Sequence, residues 1–272
     1  MTIHVRAPAT SANLGAGFDV AAVAFDFWNE MIVEEANGAA PDETHLGVRA
    51  FARYASPKEW SFRFVDRIPR ERGLGSSAAV VALGLVAGAL AAGKEPSADE
   101  LLAEGLEFEG HADNLAAAIV GGVCLTWDGN IARVADDVPA AAIALVPQER
   151  MKTAEARASL PQALPHADAV FSAVRATLLG AALASGDARL FSASAGDRLH
   201  EPYRSAHAPA LEAVRADLPN GALGATLSGS GPTVIVWAEK ERAGEVAAEL
   251  AGRFPEHEVL HLPVTTTGAG PA

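Results

Sequence analysis

The chain has 272 residues, half of them hydrophobic and 20% charged, which suffices for one large domain or two intimately packed halves with a real core. Its 21 Lys and Arg against 34 Asp and Glu give a formal net charge of −13, which argues against nucleic acid or an anionic membrane as partner. The single cysteine, Cys124, excludes an intrachain disulfide and a Cys-based metal site; in the apolar run Gly122-Val123-Cys124-Leu125 it reads as a small buried residue.

No charged-then-apolar leader opens the chain, and the longest apolar run, 78–92, is shorter than the about 20 residues that cross a bilayer. A cytoplasmic protein is expected. In chain order, residues 2–7 alternate as a first strand and 20–35 make one or two more. Residues 37–42 read as a turn, 44–54 as a helix and 60–65 as a strand alternating Trp60, Phe62 and Phe64 with their neighbours. Residues 76–93 form the clearest helix, opened by serines and closed by Gly93. Ser97-Ala98-Asp99-Glu100 is a capping box that starts a helix to about 109, and 113–120 continues as a short helix. Strands follow at 123–127, 131–134 and 141–146, the first two joined by an Asp128-Gly129 hairpin turn.

The second half begins near Pro147. Helices are expected at 167–185, 187–196 and 208–217, short strands at 223–228 and 232–238, an amphipathic helix at 240–253 and a last strand at 259–263. The tail 265–272 is small and polar and is expected to fray. Strands and helices come in clusters, which predicts an α+β fold. The division is drawn as 1–146 and 147–272.

Several blocks carry chemistry. In Pro69-Arg70-Glu71-Arg72-Gly73-Leu74-Gly75-Ser76-Ser77-Ala78-Ala79, two glycines flank Leu74 between a strand and the long helix. Positive φ at the glycines and unpaired N–H groups at the helix start suit an anion, and Ser76 and Ser77 can cap the helix. A tight turn with a Ser cap is the bland alternative. No Gly-Lys-Ser/Thr follows, so this is not the Walker pattern. In the loop 8–19, Asn13 and Asp19 are either substrate contacts or turn formers. In Glu109-Gly110-His111-Ala112-Asp113-Asn114, Asp113 and Asn114 are either helix caps or part of a site with Glu109 and His111; the spacing does not make a zinc site. Gly229 and Gly231 demand unusual backbone between two strands. Arg157 and Arg204 each sit near a helix end and suit a carboxylate, or a surface ion pair.

Together these blocks resemble the GHMP kinase superfamily, with its three motifs in order at 8–19, 69–79 and 227–233. Within it, Thr10–Asp19, Glu109–Asn114 and Glu201-Pro202-Tyr203-Arg204 resemble the homoserine kinase branch. The resemblance runs from about residue 3 to 263. It implies a ribosomal protein S5 domain 2-like N-terminal half with a ferredoxin-like C-terminal half. It further implies γ-phosphate transfer from ATP, with Mg²⁺, to the hydroxyl of L-homoserine. Carried over by motif, Asn13, Asp19, His111, Arg157 and Arg204 would hold the amino acid, and the amides of Gly73–Ala79 the phosphates. Ser76 and Glu109 would hold Mg²⁺; Glu109, Asp113 and Asn114 form the catalytic set, with Asp113 the candidate base. Arg70 and Arg72 would add two cations beside the loop. A homodimer is left open. The alternatives are another kinase of this superfamily and a catalytically silent metabolite sensor.

Overall fold

The computed structural model describes residues 1–36, 40–151 and 153–272. The turn expected at 37–42 lies partly outside the described residues. From the N-terminus run β1 (Thr2–Asn13), β2 (Gly17–Glu35), α1 (Leu46–Phe51), β3 (Trp60–Val65), α2 (Ser76–Ala91), α3 (Ala98–Gly105), α4 (Ala112–Val120), β4 (Val123–Trp127), β5 (Asn130–Ala135) and β6 (Ala141–Val146). Then come α5 (Thr153–Ala158), α6 (His166–Ser185), α7 (Ala188–Ser194), α8 (Glu201–Arg204), α9 (Pro209–Ala216), β7 (Ala222–Leu227), β8 (Val234–Ala238), α10 (Ala243–Arg253), β9 (Glu258–His261) and β10 (Gly270–Pro271).

The strands form two antiparallel sheets. In the first, β10, β1, β2, β4 and β5 lie side by side and β3 also pairs with β2. The 19-residue β2 makes this possible: Glu30–Glu35 pairs with β3 while Ala21–Val23 pairs with β4. The β1–β2 register slips between Pro8 and Ala9, where proline has no N–H to give the ladder. The second sheet runs β7-β8-β6-β9.

The two sheets share a core. Along β8, Ile235 and Trp237 join the main cluster with Val5, Phe25 and Leu83, while Val234, Val236 and Ala238 face a second cluster with Leu211, Val246 and Leu250. Along β6, Ala142, Ala144 and Val146 join the first cluster and Ile143 and Leu145 the second, as period-two alternation requires. With both faces covered, both strands read as unbroken apolar runs. Helix α2 is apolar all round for the same reason, and twelve of its residues are buried. Phe62 meets Phe51 edge-on at 5.0 Å, so the aromatic alternation of β3 faces the core. The Ser97–Glu100 capping box is present on α3.

One expectation needs correction. The tail does not fray: Ala269 N–H donates to Ala118 O at 2.7 Å, and β10 pairs with β1. Backbone bonding, invisible in a small polar sequence, ties it down. β6 pairs into the second sheet, so the sheets do not separate at residue 146. The longest apolar helix is α6, 20 residues with mean hydropathy 1.4, long and apolar enough by length and composition to cross a membrane. In this fold it buries Ser172, Leu179, Ala182 and Leu183 on one side and carries Asp168 and Arg175. Cys124 is buried as expected, and burial pushes its thiol up to about 11.

Candidate functional site

The loop after β3 is folded by three residues at positive φ, Glu71, Gly73 and Gly75. A Cβ on Gly73 would lie 2.2 Å from Ser228 O, and one on Gly75 1.9 Å from Thr10 Oγ1, so no other residue fits either place. Thr10 N–H donates to Leu74 O, Ser228 Oγ to Gly73 O and Thr233 N–H to Arg72 O. Leu74 and Ala79 are fully buried and anchor the turn from below. The three glycine-containing motifs are thus laced into one unit.

Gly75 is the N-cap of α2, and no side chain caps that end. The expectation that Ser76 or Ser77 would cap it is corrected. Both lie inside the first turn, which leaves their hydroxyls and the leading amides facing a cavity of about 260 Å³. Glu71, Arg72, Gly73, Ala78, Glu109 and Asn114 line the same cavity. An uncapped helix start between glycines is an anion-binding arrangement. The two arginines are placed differently from each other. Arg70 is exposed and pairs with Asp66. Arg72 donates to the carbonyls of Pro147 and Gln148 at 2.8 Å, so it braces the start of the second half. Pro69 does not line the cavity.

A second cavity of about 60 Å³ adjoins the first, sharing Glu109, Asn114, Thr153, Gly229 and Ser230. It is lined by Asn13, Asp19, His111, Asp113, Arg157 and Arg204. Asn13 and Asp19 both hold positive φ, 75° and 57°. Asn13 is buried, donates to Gly229 O at 2.8 Å and accepts from Asp19 N–H, so it holds the loop as well as facing the cavity. Arg157, on α5, grips Asp19 through Nη2 at 2.8 and 2.9 Å, and donates to His111 Nδ1 at 2.9 Å. Because guanidinium can only donate, His111 is the acceptor and is neutral at Nδ1; burial, then the Arg157 charge, lowers its pKa. Arg204 is 3% exposed rather than a surface ion-pair partner. It donates to His200 Nδ1, Gly229 O and Ala156 O.

Asp113 and Asn114 are not caps. His111 is the N-cap of α4 and makes no side-chain cap bond. Asn114 Oδ1 instead accepts from Thr10 Oγ1 at 2.7 Å. Asp113 is buried, and desolvation raises its carboxyl from 3.8 to about 6. The charged form is therefore disfavoured in the folded chain. Below 3.8 the group is neutral in both states; above about 6 the folded chain must hold a desolvated carboxylate. Asp113 thus costs stability as pH rises through that window, about 3 kcal/mol for a rise of about two pKa units. The Asp113→Asn variant is expected to melt with the parent near pH 4 and well above it at about pH 7.5. A gap that stays constant with pH, read by calorimetry, would assign the effect to packing instead.

Glu109 is half-buried, its Oε1 has no partner among the described residues, and burial raises its pKa. An orphaned carboxylate oxygen in the cavity that Ser76 also lines fits a divalent cation. Sequence reasoning missed Thr10, His200 and Glu201 as members of the site. Thr10 was read as part of the loop 8–19, whereas the structure extends β1 through it to Asn13. His200 and Glu201 are 0% and 1% exposed, and only the polarity of the His-Glu-Pro-Tyr-Arg block could have drawn attention to them.

Two family models match the chain, GHMP kinases N terminal domain over residues 45–122 and GHMP kinases C terminal over residues 179–256. The fold is therefore that of the GHMP kinases. The homoserine kinase of Gloeobacter violaceus is 38% identical over 276 residues, covering 92% of both chains. That of Streptomyces coelicolor is 37% identical over 275 residues, covering 92% of this chain and 88% of its own. The crystal structure of homoserine kinase from Cytophaga hutchinsonii superposes with a TM-score of 0.89 at 26% identity, over 100% of this chain and 97% of that one. The chain belongs to the homoserine kinase family.

Proposed function

We propose that the chain transfers the γ-phosphate of ATP to the side-chain hydroxyl of L-homoserine, giving O-phospho-L-homoserine. The observation that carries this reading is the pairing of the cavities. One presents helix amides and serines without any carboxyl-binding arginine fork; the other presents Asp19, Arg157 and Arg204; Glu109 and Asn114 stand in the wall between them. A triphosphate suits the first and a small zwitterion the second.

In this reading the amides of Gly73–Ala79 hold the phosphates, with the nucleoside extending toward the neighbouring cavity of about 410 Å³ beside His45, Leu46 and Val80. Ser76 and Glu109 hold Mg²⁺, which when bound neutralises charge on the phosphate oxygens. Asp19 takes the ammonium, and Arg157 and Arg204 the carboxylate. Because Arg157 already pairs with Asp19, the incoming zwitterion replaces an internal ion pair with two of its own and avoids stranding either charge. Asn13 and His111 fix the amino acid's orientation. Asp113, with its raised pKa, faces the same cavity and takes the hydroxyl proton, while Asn114 holds the acceptor side of the wall. The chain acts in the cytoplasm on small molecules, and its −13 charge is at odds with nucleic acid. The functional halves are proposed to divide as 1–146 and 147–272.

A coupled ADP-release assay with L-homoserine, galactose, mevalonate and shikimate tests the reading. Homoserine is expected to give by far the highest turnover. Turnover confined to one of the others would move the assignment to a different kinase, and binding of homoserine without ADP release would make the chain a sensor.

A further inference from the structure

The His200 side chain lies outside both cavities, yet its two ring nitrogens are both committed. Nε2 lies 3.0 Å from the carbonyl oxygen of Gly15, in the loop between β1 and β2. Nδ1 lies 3.2 Å from Nη1 of Arg204. A carbonyl can only accept and a guanidinium can only donate, so the tautomer is decided: Nε2 carries the hydrogen and Nδ1 presents a lone pair. The carboxylate of Asp197 is 3.7 Å from Nε2 but is taken up by the N–H groups of Leu199, His200 and Glu201. The Phe18 ring stacks on the imidazole at 4.8 Å with a 19° tilt and also lies within 5.3 Å of the Arg204 guanidinium. Burial favours the neutral ring, consistent with the same tautomer.

The Arg204 head is then almost fully spoken for. Nη1 serves His200 and Gly229 O, and Nε serves Ala156 O. Among the described residues no protein acceptor takes Nη2, and Arg204 lines the cavity that also holds Asp19 and His111. We propose that His200 is a positioning residue for the substrate carboxylate: through its Nδ1 lone pair it fixes the rotation of the Arg204 guanidinium so that Nη2 is presented to the carboxylate, and through Nε2 it couples that rotation to the β1–β2 loop that leads to Asp19 at the start of β2. The inference rests on the homoserine reading. It gives the His-Glu-Pro-Tyr-Arg block one mechanical purpose. Glu201 completes it by accepting from Leu227 N–H at 2.8 Å and from Arg215, which anchors the strand that leads into the Gly229 loop.

Two variants separate the halves of the imidazole. His200→Asn keeps an acceptor at the Nδ1 position but cannot reach Gly15. His200→Gln reaches Gly15 with an amide N–H but leaves no acceptor for Arg204. Steady-state kinetics on homoserine should show KM raised about tenfold in His200→Gln, and within about threefold of the parent in His200→Asn, the value of one charge-assisted hydrogen bond. In both, kcat and the KM for ATP should change by less than about twofold. On 3-aminopropan-1-ol, which lacks the carboxylate, both variants should match the parent in kcat/KM, because the interaction that His200 supports is missing. Equal losses on both substrates, a KM in His200→Gln like that of the parent, or no advantage of Asn over Gln would each overturn the proposal. Thermal melting identifies a variant that has lost its fold, in which case the other variant's KM on the two substrates decides. A parent enzyme inactive on homoserine is a different failure, visible before any variant is compared, and it removes the homoserine reading together with this one.

Discussion

Arg204→Ala is expected to lower kcat/KM for homoserine by about 10³, nearly all of it through KM, with the KM for ATP unchanged. The size follows from where Arg204 sits. At 3% exposure its guanidinium is largely desolvated, and burial first, then the neighbouring Arg157, draws its pKa down. A charge held in that condition is stabilised by gaining a carboxylate, and the carboxylate left without it would be buried against a cavity rich in acidic groups, Asp19, Asp113 and Glu109. Losing such a partner costs about 4 kcal/mol, which corresponds to roughly that factor. Arg204→Lys is expected to recover less than about tenfold of the loss, since a point charge cannot reproduce the fork that serves His200, Gly229 and Ala156 together. Kinetics of both variants, accompanied by melting curves to exclude unfolding, decide the matter. An unaltered homoserine KM in a well-folded Arg204→Ala would remove the carboxylate role.

Glu109→Gln is expected to cut turnover about 10²- to 10³-fold while leaving the melting temperature of the ligand-free chain unchanged or higher. The two effects have one cause. Glu109 keeps a desolvated carboxylate with Oε1 unpartnered, and its raised pKa records that the folded chain disfavours the charge. A neutral amide relieves that penalty in the free protein. It also removes an unpartnered anionic oxygen from the wall of the phosphate cavity that Ser76 also lines. Activity should become far less responsive to Mg²⁺ concentration, and Mg²⁺ should no longer tighten ATP binding in calorimetric titration. A variant that melts lower and keeps its turnover would show Glu109 to be structural.

Much of the fold was written locally. The alternation of Trp60, Phe62 and Phe64 made β3 unmistakable, and Val123–Trp127 and Ala141–Val146 were legible from apolar runs of strand length bounded by turn residues. The capping box at Ser97–Glu100 acts within four residues and was read correctly. The hairpin at Asp128-Gly129 takes positive φ at both residues, as that dipeptide suggests. The glycine pattern around Leu74 also pointed to a loop that must approach other backbone, and Gly73 and Gly75 meet Ser228 O and Thr10 Oγ1.

What went unread involved partners far along the chain. Ser76 and Ser77 looked like caps because a serine before an apolar helix usually is one; Gly75 took the cap once Thr10 closed over it, and the hydroxyls were left to the cavity. Asp113 and Asn114 read equally as caps or as site residues, and what separated the two was distant: Thr10 claims Asn114 across 104 residues. Arg72 lines the phosphate cavity, yet its guanidinium is tied to carbonyls 75 and 76 residues away. The tail looked free until Ala118 and β1 bonded it.

The sequence by itself determined the element types, the glycine turns and the family motifs, because hydrophobic period, capping and positive φ act over a few residues and leave their mark there. Only the tertiary structure decided which polar groups spend their hydrogen bonds on the protein and which keep them for a ligand. That division depends on distances between segments far apart in the chain, such as Ser11 and Ser228, 217 residues apart, and on how much water each group loses when the two sheets close over their common core.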